Sequence, residues 1–132
     1  MTKWDIDPGG VASILSLVGL AADDMSKDVK GYGEAVTDAA AWAGTISGPY
    51  CGSAPAGPVG VAVATFASDT EAKIRFLAAR TKKSLDGTVQ ATTAYVTGDL
   101  DMAADAQREA AKAPDPAELR AVAQKDDGQG GG

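Results

Sequence analysis

A chain of 132 residues has room for one modest domain, and its formal charge of −6 argues against nucleic acid or anionic membrane as principal partner. With no histidine and a single cysteine, Cys51, it holds no Ser-His-Asp or Cys-His catalytic set, no His/Cys zinc cage and no internal disulfide. Alanine and glycine abound while aromatics make up only 5%, a composition suited to long, closely packed helices and poorly suited to sheet. The chain reads as a non-enzyme with no cofactor and no metal.

Residues 1–6 form a short arm. The apolar run Val11 to Ala22 is a helix face rather than a secretory signal, because Asp5 and Asp7 stand where a positive segment belongs and Asp23-Asp24 where cleavage would fall. It is also too short to span a bilayer. Asp7-Pro8 is a good helix start: the carboxylate accepts orphan N–H groups, and proline in the first helical position sacrifices no hydrogen bond. Val11, Leu15, Val18, Ala22, Met25, Val29, Tyr32, Val36, Ala39 and Ala43 then recur at alternating steps of four and three. That seam predicts a helix over about residues 8–43.

Gly48-Pro49, Pro55 and Gly57-Pro58 punctuate a loop over about 44–58 that carries Cys51. A second helix is expected over about 59–112. It places Phe66, Thr70, Ile74, Leu77, Thr81, Leu85, Val89, Thr92, Val96, Leu100 and Ala103 on one broad face. Pro114 and Pro116 should stop it, and the polar, glycine-ended stretch 113–132 reads as a disordered tail. The expected fold is all-α: an antiparallel two-helix hairpin over residues 1–112.

Two helices cannot enclose a core, so an apolar hairpin should bury a second surface against another chain. Ile14, Leu17 and Ala21 form a stripe beside the seam of the first helix, and Phe76 lies off the main face of the second. These four are the candidate partner interface, and the expected assembly is a dimer forming a four-helix bundle.

Two short motifs sit at telling places. Trp42-Ala43-Gly44 ends the first helix, and Tyr95-Val96-Thr97-Gly98-Asp99 lies near the end of the second. Within one helix Tyr95 and Asp99 would share a face at i, i+4, while Gly44 would cap its helix and Trp42 would cover the bundle end. The plainer alternatives are that Trp42 is only an end plug and Tyr95 an ordinary amphipathic tyrosine.

Together these features resemble the WXG family of small helical-hairpin proteins exported by type VII (ESX-like) secretion systems. The resemblance implies a homodimer, or a heterodimer with a second small hairpin protein, that engages a secretion ATPase and leaves the cell without a cleaved signal peptide. It further implies a composite export signal made of Trp42 and Gly44 from one subunit with Tyr95 and Asp99 from the other. The alternative is a membrane-active or lipid-binding helical hairpin, against which the acidic surface argues.

Overall fold

A computed structural model describes residues 6–44, 47–48, 52–53 and 58–127. Most of the expected loop, Cys51 and residues 128–132 lie outside the described residues. The elements in chain order are α1 (Pro8–Gly44), β1 (Ser47–Gly48), β2 (Gly52–Ser53), α2 (Pro58–Thr97), α3 (Leu100–Ala111) and α4 (Pro116–Asp127). The fold is all-α apart from a minimal antiparallel ladder, in which Ser47 opposes Ser53 and Gly48 opposes Gly52.

The start of α1 follows its sequence. Asp7 Oδ1 accepts the Gly9 N–H at 3.0 Å, and the Asp7 carbonyl accepts the Val11 N–H at 3.1 Å. The first helical residue is Pro8, which has no N–H to satisfy.

Two expectations are corrected further along. The single helix to about residue 112 is broken: α2 stops at Thr97 and α3 begins at Leu100. Gly98 is left-handed, with φ +83°. Its N–H bonds the Tyr95 carbonyl at 3.1 Å, and the Asp99 N–H bonds the Ala94 carbonyl at 2.9 Å. This pair of bonds is the Schellman stop, which satisfies terminal carbonyls and favours glycine at the left-handed position. Asp99 then caps the next helix, accepting the Met102 N–H at 2.8 Å.

The second correction concerns the expected disordered stretch, of which Pro116–Asp127 is helix. Asp115 Oδ1 accepts the N–H groups of Ala117 and Glu118 at 2.8 and 2.9 Å, and Glu118 Oε2 accepts the Asp115 N–H at 2.7 Å. That reciprocal exchange is a capping box, with Pro116 in the first helical position.

The chain forms two compact units, Met1–Ala21 with Arg75–Gly132, and Ala22–Ile74. In the second unit the more sheltered residues of α1 are Ala22, Met25, Val29, Tyr32, Val36 and Ala43, and those of α2 are Gly60, Val63, Ala67, Thr70 and Ile74. Both sets step by threes and fours with one longer interval in α1, so each helical segment presents one stripe.

In the first unit, α3 doubles back along α2. Among the described residues of this unit, Ala79, Ala91 and Ala94 of α2 and Ala103 of α3 are buried, as is Pro114 after α3. Gly87 is also buried, and a Cβ built on it would overlap the Cβ of Ala110. Small side chains let these two helices approach closely. On another side of α2, Val11, Ile14, Leu15 and Val18 of α1 face Arg80, Thr81, Ser84, Leu85 and Thr88 across a groove.

Candidate functional site

The sequence-derived recognition residues fall in both units. Trp42 is in the second, two residues before α1 ends at Gly44, and its side chain is 90% exposed. Within the single chain, nothing among the described residues covers this ring. Tyr95 and Asp99 are in the first unit. Tyr95 is half-buried and lines an open groove between α2 and α3 with Thr92, Gln107, Ala111 and Ile6 of the N-terminal arm.

Tyr95 and Asp99 do not share a helical face. The left-handed Gly98 separates them, and the Asp99 carboxylate is engaged in capping α3. The i, i+4 geometry expected of an unbroken helix is therefore replaced by a tyrosine on one helix and a cap at the head of the next. The candidate interface residues are open to solvent: Ile14 is 62% exposed, Leu17 66% and Phe76 46%, with Ala21 exposed as well.

A polar cluster that periodicity does not reveal joins three helices. Lys83 of α2 has a side chain only 10% exposed, and its Nζ lies 3.1 Å from Glu118 Oε2 and 3.6 Å from Glu109 Oε1. The bond to Glu118, aided by the charges of Glu118, Glu109 and Asp115, holds the ammonium above its ordinary 10.5 despite some desolvation. Glu109 is lowered, chiefly by its hydrogen bond and attraction to Lys112 and secondarily by Lys83. Asp115 is lowered mainly by the Glu118 N–H, with the Ala117 N–H and the charges of Lys83 and Arg120 contributing.

One turn before Lys83, Arg80 Nη1 donates to the carbonyls of Ala110 and Lys112 at 2.5 and 2.8 Å, satisfying acceptors at the C-terminal end of α3. The sequence signal for this cluster was Asp115-Pro116-Ala117-Glu118, a helix start written in four residues.

The profile of a family of unknown function, DUF6507, matches residues 1–124. The chain belongs to DUF6507. No curated protein and no solved structure matches it. The DUF6507 match spans α1, α2 and α3 in full and most of α4, so the capping box and the Lys83 cluster lie within the family's extent.

Among the described residues, no group of three or more His, Cys, Asp or Glu side chains is placed to hold a metal ion, and no helix is long and apolar enough to cross a membrane. Among the described residues of this DUF6507 chain, a shallow groove of about 800 Å³ runs along α2 and α3. Val89, Ala94, Met102 and Ala106 are among its lining, with Asp105, Arg108, Glu109 and Lys112 from α3. Arg108 pairs with Asp105, and Lys112 with Glu109. Both pairs lie within α3, and Glu109 also faces Lys83 of α2. The described surface also carries exposed apolar side chains, Ile14, Leu17 and Phe76 among them, and the open ring of Trp42.

Proposed function

We propose that this DUF6507 protein is a non-enzymatic substrate or escort of a type VII (ESX-like) secretion system. In this reading its two long helices form an antiparallel hairpin that pairs with a second copy, or with another small hairpin protein, as a four-helix bundle. The protein leaves the cell without a cleaved signal peptide after engaging the secretion ATPase. The observation that carries the reading is Trp42: a large amphipathic ring held 90% in water, two residues before the end of α1 at Gly44. A tryptophan left that open contributes little to its own fold and is available for recognition. The exposed stripe of Ile14, Leu17 and Ala21 supports the pairing half of the proposal.

The helix break revises how the signal would be presented. Tyr95 offers its ring beside the α2–α3 groove, and Asp99 offers a carboxylate already bonded to a backbone N–H. The test is accumulation in the medium of cells carrying the secretion system. Trp42→Ala, Tyr95→Ala and Asp99→Asn should each abolish it while the intracellular protein stays folded. Asp101→Asn should be exported normally. Export of all four at the level of the unaltered protein would remove the reading.

A further inference from the structure

We propose that α4 is a conditional helix, and that Lys83 of α2 is the switch deciding whether residues 116–127 are a docked helix or a free segment. This inference stands apart from the export reading and depends only on the three-helix cluster. Helices of this length are marginal in water unless tertiary contacts hold them. The capping box gives α4 a start, but its bonds are local to residues 115–118 and tie it to nothing else. Arg120 is likewise spent within the helix, donating to the Pro116 carbonyl at 3.1 Å.

Among the described residues, the polar link from α4 to another helix is Lys83 Nζ to Glu118 Oε2, at 3.1 Å. The placement of that link matters. Glu118 Oε2 accepts both the Lys83 ammonium and the Asp115 N–H. One oxygen therefore closes the capping box and moors the box to α2. An ordinary surface pair would be screened and weak. Here the lysine side chain is nearly covered with α4 in place, and Glu109 of α3 stands on its other side at 3.6 Å, so α3 helps to position the cation that α4 meets. With the mooring gone, α4 keeps its cap and the partial cover of Leu119, Val122 and Ala123, which is too little to hold a helix of this length. An order–disorder change confined to one terminal helix is a common way to expose a recognition segment without disturbing the rest of a fold.

The test is backbone amide exchange on the full chain, comparing amides of 120–127 with those of α2 and α3 at 91–97 and 104–111. In Lys83→Met, protection over 120–127 should fall about tenfold or more while α2 and α3 keep theirs. Glu118→Gln retains an acceptor for the Asp115 N–H but removes the charge, and should do the same. Lys83→Arg keeps a cation in place and should restore protection. Retained protection of α4 in both Lys83→Met and Glu118→Gln would overturn the proposal. So would equal loss across α2, α3 and α4, which would make Lys83 a support of the whole unit, or an α4 without protection in the unaltered chain.

Discussion

Gly87 of α2 and Ala110 of α3 face each other with no room for a methyl group between them. A Cβ on Gly87 would overlap that of Ala110, lie 3.4 Å from the Ala110 Cα and reach within 3.5 Å of the Ala106 carbonyl. Glycine in a helix interior is itself a cost of roughly 0.5–1 kcal/mol relative to alanine, so its presence here reflects helix approach. Gly87→Ala should push α3 away and destabilise the fold by about 1–3 kcal/mol. Gly31 and Gly33 give the opposite case: both lie within α1 with nothing within 4 Å of an added Cβ. Alanine at either should stabilise by about 0.5–1 kcal/mol. Thermal or denaturant unfolding separates the two classes, and a Gly87→Ala variant as stable as the unaltered chain would contradict the α2–α3 packing.

The Gly98–Asp99 junction makes a second prediction. Asp99→Ala removes the acceptor of the Met102 N–H and should cost about 1 kcal/mol, whereas Asp99→Asn keeps a good cap and should cost little. Gly98→Ala forces a side chain into a φ of +83°, costing about 1–2 kcal/mol. This is why the export test uses asparagine at 99, since alanine there would confuse a lost signal with a lost cap. Equal stability of Asp99→Ala and Asp99→Asn would show that the cap bond contributes nothing.

Much of α1 was legible because its pattern is long and its seam uses large residues. Val11, Leu15, Met25, Val29, Tyr32 and Val36 are all among its more sheltered positions. In α2 the same reasoning found part of the face: Thr70, Ile74, Thr81, Leu85 and Thr92 are sheltered. Phe66, Leu77, Val89 and Val96 lie exposed, and the sheltered side near the C-terminal end is Gly87, Ala91 and Ala94. Hydropathy periodicity weights large side chains, whereas α3 packs on small ones because only they allow its backbone to come close. Gly98 carried the signal for the turn, yet an apolar pattern running through it to Leu100 and Ala103 reads as one helix. Residues 113–132 were judged by bulk polarity, which hid the four-residue capping box at Asp115. The geometry relating Tyr95 to Asp99 was not legible, because it depends on the Gly98 break.

Assembly is checked separately from export. Ile14, Leu17 and Phe76 expose apolar area that water penalises by about 25 cal/mol per Å². Leu17→Glu and Phe76→Glu should each weaken association in analytical ultracentrifugation while leaving helix content nearly unchanged. A chain that remains monomeric at high concentration without any partner, fully helical and soluble, would contradict the four-helix arrangement.

The last prediction follows from the charges around α3 and α4. Glu109 and Asp115 are held below their ordinary 4.5 and 3.8. Each therefore contributes stability that is fully present above those values and is lost as pH falls through the lowered folded ones. Lys83 runs the other way: its ammonium is held above 10.5, so its contribution is complete below that and is lost as pH rises through the raised value. The groups facing the cluster are Glu109 and Lys112 from α3, Asp115 from the connecting segment, and Glu118 and Arg120 from α4. There is no histidine in the chain to titrate between these limits. Protection of the α4 amides should therefore be flat from about pH 5 to 9, fall in acid as the carboxylates protonate, and fall again in strong alkali. Nuclear magnetic resonance of the α4 resonances across that range measures it directly. Loss of α4 structure centred near neutrality would show that something other than this cluster holds the helix.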